Sequence, residues 1–323
     1  MKRLNILFIT TLTLSLSCKK QNGYRLDLDT KSPTTELFAE NIISTNLYER
    51  DIAINAEATE IVFTRGDYTQ NTRALVSIKK VKGEWVEAEI MPFSGQFQDI
   101  EPFFSPDNQR LYFVSNRPIY GDSSRADYNI WFTERTAQTW TPPKALDSLI
   151  NTTANEFYPS VSENGNLYFT AMRKEGIGKE DIFLAKFENG QYQQPFALDS
   201  AVNSTNYEFN AYISPDEKTL IFSSFGRKDD LGGSDLYISE KNNLGQWTTA
   251  RNLGPQINSE KLDYCPFIDW PRKNFYFSSE RTKGKKQKIR TVQELEEWAN
   301  RTENGLGNIY RISLDALNIE NKP

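Results

Sequence analysis

Acidic and basic side chains recur in step through this 323-residue sequence. Glu49, Glu101, Glu156, Glu208 and Asp263 stand 52 to 55 residues apart, and Arg65, Arg117, Arg173, Arg227 and Arg281 follow at 52 to 56. Carboxylates and guanidiniums in such register can form one ion pair per repeat, or a ring that holds a ligand. Recurrence in every repeat favours the first, a structural ladder. Histidine is absent, which excludes Ser-His-Asp and Cys-His mechanisms and histidine-based metal sites. The enzyme class still open is glycoside hydrolysis, which needs only two non-equivalent carboxylates about 5 to 10 Å apart. Because the prominent acids are equivalent, a non-catalytic role is expected, with a glycan-processing enzyme as the alternative.

Other groups offer less. Asp229, Asp230 and Asp235 surround Gly232 and Gly233, a loop with oxygen donors for calcium but without EF-hand spacing. It reads rather as a glycine-permitted tight turn, and no cofactor is expected. Cys265, in the apolar run DYCPF, reads as a small core residue rather than a reactive thiol.

Two further ladders share the period. Short runs begin at Ala74, Asn129, Asp181, Asp235 and Asn308, and an aromatic follows a turn at Trp85, Trp140, Tyr192 and Trp247. Each repeat alternates apolar and polar residues between Pro, Asp, Asn and Gly punctuation, the pattern of four strands joined by hairpins. The repeats run over about 47–98, 99–153, 154–205, 206–260 and 261–317. The last lacks its aromatic fourth strand, whereas residues 35–41 precede the first repeat and belong to none. Those residues are expected to supply the missing strand and close the ring. Six blades would need an unrecognised repeat for which no length remains.

Ser105-Pro106-Asp107 and Ser214-Pro215-Asp216, each followed by LYF or LIF, an arginine and an Asp/Asn-Ile/Leu-aromatic run, resemble the WD-repeat-like propeller repeats of the TolB type. The resemblance covers roughly Glu36 to Leu317 and implies an all-β, five-bladed β-propeller of four-stranded blades over 33–317. Members include periplasmic lipoproteins, so it also implies an envelope role, while saying almost nothing about chemistry.

The start of the chain agrees with that address. Lys2 and Arg3 precede an apolar stretch too short for a confident membrane span, and residues 1–17 read as a secretory signal. Cys18 follows Leu14-Ser15-Leu16-Ser17, which resembles a bacterial lipobox and implies a lipid on that cysteine. The other reading is an ordinary signal peptide. Residues 18–32 then form a polar tether, and residues 318–323 a short tail. Loss of Lys2 and Arg3 moves the net charge from -5 to -7, which argues against nucleic acid as a partner. The expectation is a monomer on the outer membrane facing the periplasm, meeting an envelope protein, peptide or glycan.

Strand polarity puts the acids, the arginines and the variable second-to-third-strand loops on one face, called the top. Variable loops on a rigid ring are where binding usually sits. The largest insertion, 282–307, carries a basic run and then TVQELEEWANRT, with Thr291 and Glu294 spaced as a capping box. Val292, Leu295 and Trp298 fall on one helical face. It reads either as a rim helix with that stripe packed down or as a partner-docking element.

Overall fold

The computed structural model describes residues 23–122, 124–137, 139–284 and 288–320. Cys18 and the signal segment, like Lys285 and Lys286 of the basic run, lie outside the described residues. Five antiparallel four-stranded sheets stand in a ring, so the fold is a five-bladed propeller.

In order from the axis outward, the strands a to d of blade 1 are Tyr48–Ile54, Glu60–Gly66, Arg73–Val81 and Glu89–Ile90. Blade 2 uses Asp99–Phe104, Arg110–Ser115, Asn129–Glu134 and Lys144–Ala145. Blade 3 uses Glu156–Val161, Leu167–Ala171, Asp181–Ala185 and Phe196–Ala197. Blade 4 uses Tyr207–Ile213, Thr219–Phe225, Asp235–Glu240 and Arg251–Asn252. Blade 5 uses Asp263–Asp269, Asn274–Ser279 and Asn308–Ser313, and its outer strand is Glu36–Leu37 from the other end of the chain. Glu36 pairs with Arg311 and Leu37 with Tyr310. The ring is therefore latched by non-local pairing.

Period-two alternation explains how blades cohere. On strand b of blade 2, Leu111 and Phe113 face blade 1 and pack with Val62, Leu75 and Trp131. Tyr112 and Val114 face blade 3 and pack with Leu167, Phe169 and Phe183. Comparable clusters fill the other three interfaces, including Phe38 and Ile309 against Ile61 and Phe63 at the closure. Each sheet is thus buried on both faces, which is why its strands are apolar runs rather than half-polar ones.

The tether expected over 18–32 is bound to the body along its described part. Tyr24 pairs with Trp85, Leu28 is buried, and Asn274 donates to the carbonyls of Leu28 and Thr30. Ser313 N–H donates to the Ser32 carbonyl. Polar composition suggested a solvated linker, but its backbone groups find partners on blades 5 and 1.

Candidate functional site

The acid ladder is formed, with one change of member. Each acid is the first or second residue of strand a, and each arginine stands at or just beyond the end of strand b of the same blade. The pairs are Arg65–Glu49 at 2.9 Å, Arg173–Glu156 and Arg227–Glu208 at 2.9 Å, and Arg281–Asp263 at 2.7 Å. In blade 2 the partner of Arg117 is Asp99, at 2.6 Å, not Glu101. The even spacing of Glu101 misled, because Asp99 two residues earlier occupies the register position. Every arginine also donates to a carbonyl of the incoming linker, at Ile42, Phe93, Ile150, Val202 and Ile257. Each guanidinium lies over an aromatic ring of its own blade, such as Phe222 and Tyr237 for Arg227. Burial pushes the Glu49 and Glu156 carboxyls upward, opposed by their arginines.

The linkers hold a second device, set by residues that lie outside the acid and arginine ladders. Thr45, Thr152, Ser204 and Ser259 each donate hydroxyl and backbone N–H to the ladder acid four residues on. The preceding Asn151, Asn203 and Asn258 each bridge to strand c of the previous blade, at Ile130, Ile182 and Leu236. Ser44 does this for blade 5 through Ile309. The motif Asn-(Ser/Thr) in INTT, VNST and INSE was its signal.

Glu101 belongs to a different ring. Two residues after each ladder acid, strand a bulges, and Asp51, Glu101, Tyr158, Asn210 and Cys265 there take φ of 50 to 61°. Non-glycine residues rarely adopt this left-handed region. All five are buried. Arg50 fixes the ring: its Nε donates to Asp51 at 2.8 Å, and its Nη2 to Glu101 at 2.9 Å and to the Cys265 Sγ at 3.4 Å. Asn210 donates to Glu101 Oε1, and the Tyr158 N–H donates to Glu101 Oε2 at 2.7 Å. In neighbouring blades that kind of N–H is met by a hydroxyl on strand b, Thr64 for Glu101, Thr170 for Asn210 and Ser278 for Asp51. The equivalent residue in blade 2 is Val114, so Glu101 supplies the missing acceptor. Burial raises the Glu101 carboxyl to about 7, with Arg50 opposing. The Cys265 thiol is pushed well up by burial, consistent with a core residue.

This ring divides the axis. Below it lies an apolar bowl of about 480 Å³ lined by Phe103, Tyr212, Phe267 and Trp270. Above it a funnel of about 260 Å³ opens on the top face, floored by Arg50, Glu101 and Asn210. Its wall includes Ile100, Phe157, Phe209, Leu262 and Tyr264, and its mouth Arg73, Tyr128 and Glu180. These last three are equivalent by register, each just before the strand-c residue that pairs with the strand-b residue opposite the ladder acid. Ser234 and Gly307 hold the position in blades 4 and 5. Arg73 is fixed by its Nε on Gln98 at 2.9 Å and its Nη2 on the Tyr128 hydroxyl at 2.5 Å. Among the described residues no carboxylate lies within ion-pair distance of Arg73, and the half-buried Glu180 carboxylate has no hydrogen-bond or ion-pair partner. Burial alone raises Glu180. No sequence ladder revealed this position, because its chemistry changes from blade to blade.

The remaining candidates are placed apart from the funnel. Asp229 and Asp230 both accept from the Tyr237 hydroxyl, at 2.8 and 2.7 Å. Asp235 accepts from the Leu231 N–H and from Asn252. Among the described residues no group of three or more Cys, Asp or Glu is placed to hold a metal. The insertion forms a helix, Val292–Ala299, with the capping box of Thr291 and Glu294. Its stripe is not packed down: Val292 is 73% and Leu295 51% exposed. Trp298 instead stacks with Arg301, whose guanidinium lies 3.5 Å from the ring centre. Anchoring comes from residues after the helix, with Thr302 donating to Glu40 and Asn304 to the Asn46 carbonyl.

No family model and no curated protein matches the chain. Among solved structures it is similar to TolB from Acinetobacter baumannii, at 13% identity over 81% of this chain and 54% of that one, with a TM-score of 0.43. A putative TolB from Agrobacterium tumefaciens matches at 14% identity over 72% and 69%, TM-score 0.46. A puromycin-hydrolyzing peptidase of Mycobacterium tuberculosis matches at 12% over 81% and 42%, TM-score 0.40. The chain thus spans about half the length of the Acinetobacter protein. Its own five sheets make it a five-bladed β-propeller, and the solved structures similar to it include TolB-type propellers.

Proposed function

We propose that this protein is a non-catalytic binding scaffold of the bacterial cell envelope, anchored by a lipid on Cys18 and facing the periplasm, that receives an envelope protein, peptide or glycan in its top-face funnel. The observation that carries this reading is the engagement of Glu101. Both its oxygens are occupied, by Arg50 and Asn210 on one and the Tyr158 N–H on the other. A carboxylate spent on holding its own ring is poorly placed to act as acid, base or nucleophile. Glu180 is then left without a second free carboxylate in the funnel, and hydrolysis by paired acids needs two.

The ladder acids serve the framework in this account, and the funnel mouth serves the ligand. A photo-crosslinking amino acid placed at Tyr128, at the mouth, and at Leu244, 82% exposed on a lower turn, tests the reading in intact envelopes. A discrete adduct from position 128 and none from 244 is expected. Equal labelling from both positions, or none from 128, would remove the funnel as the site.

A further inference from the structure

The mouth of the funnel carries two opposite charges that form no ion pair with each other: Arg73 feels Glu101 on the floor only at a distance, and Glu180 has no charged partner. Arg73 on blade 1 and Glu180 on blade 3 occupy equivalent places, with Tyr128 of blade 2 between them. A framework position repeats its chemistry, as the ladder does five times over. This one does not. Leaving a half-buried charge without a counter-charge costs free energy that a ligand can return. The Arg73 guanidinium is already oriented by Gln98 and Tyr128, so little side-chain freedom remains to be lost on binding.

Resting on the reading of the funnel as the binding site, we infer that it takes a short zwitterion of the amino acid or dipeptide class. The ligand carboxylate meets Arg73, whose planar fork suits it, and the ligand ammonium meets Glu180. Between them the Tyr128 hydroxyl, which accepts from Arg73 and keeps its own proton, can donate to an amide carbonyl, and Phe157 and Phe209 offer a wall to a small apolar side chain. The volume of about 260 Å³ lies at or below the lower end of ordinary small-molecule sites. Of a folded domain or a long oligosaccharide only a terminal segment would enter it.

The probes are L-alanine, L-alanyl-L-alanine, its N-acetyl form and its C-terminal amide, titrated calorimetrically into the full chain in detergent. At least one of the two free zwitterions should bind, and which one binds tighter separates amino acid from dipeptide. Acetylation and amidation should each weaken the dipeptide about tenfold or more, the scale of a lost charged hydrogen bond. Glu180→Gln should erase the distinction between free and acetylated forms without lowering the melting temperature, and Arg73→Gln that between acid and amide. Failure of both free zwitterions to bind, or variants that retain the wild-type preferences, would overturn the inference. A crosslink at position 128 without zwitterion binding would leave the funnel as a site and refute only its ligand class.

Discussion

The residues divide by what their partners leave them free to do. Arg227 gives a guanidinium to Glu208 and to the Val202 carbonyl while stacking on two rings. Arg227→Ala strands a fully buried carboxylate and is expected to cost about 3 kcal/mol in denaturant unfolding. Asp99→Asn should damage blade 2 in the same way. Glu101 predicts a different signature. Its folded-state carboxyl is raised to about 7 from an ordinary value near 4.5. The native state therefore holds a proton that the unfolded chain releases, and this contribution is present below pH 4.5 and lost as pH rises through 7. Relative to Glu101→Gln, the wild type should lose stability between pH 5 and 8, by on the order of 1 to 3 kcal/mol. A difference flat with pH would show that Glu101 is ionised throughout. The acids and arginines were legible because repetition exposes them. Asp99 was missed because period alone cannot choose between two acids two residues apart, and Glu180 because a position that varies leaves no ladder.

At the scale of elements, the linkers and the latch turn five sheets into one body. Asn203 makes hydrogen bonds to Ile182 N–H and to the carbonyls of Ile182 and Leu198, all buried. Asn203→Ala should cost about 2 to 4 kcal/mol, more than a single hydrogen bond, because several buried groups lose their partner together. Thermal unfolding of that variant checks the figure. The closing strand was readable from a missing aromatic in the last repeat and a spare segment at the start. The binding of residues 24–32 was not, since a polar stretch gives no sign of which surface its backbone will find. The rim helix shows the reverse failure. Its capping box was visible in sequence, but helical spacing of Val292, Leu295 and Trp298 does not say that a surface lies beneath them. Changing Val292 and Leu295 to Ser together should shift stability by less than about 0.5 kcal/mol, as for surface positions away from special features.

For the whole molecule, the division of the axis matters most. The bulge ring separates a funnel above, with charged groups at its floor and mouth, from an aromatic bowl below. Tyr24 meets Trp85 just after the lower turn between strands c and d of blade 1. If Cys18 carries a lipid as proposed, the six residue steps from it to Tyr24 span at most about 20 Å, and the funnel would open away from the membrane. Protease or thiol-labelling access to a cysteine at position 128, compared with one at position 244, checks this orientation on membranes. The central claim is that the ladder is framework and the funnel is the site, and one paired measurement meets it most directly: melting and position-128 crosslinking of Glu180→Gln beside Glu208→Gln. Glu180→Gln is expected to melt no earlier than the wild type and to lose the crosslink, whereas Glu208→Gln melts earlier. A Glu180→Gln protein that crosslinks as well as the wild type, or a Glu208→Gln protein of undiminished stability, would contradict it.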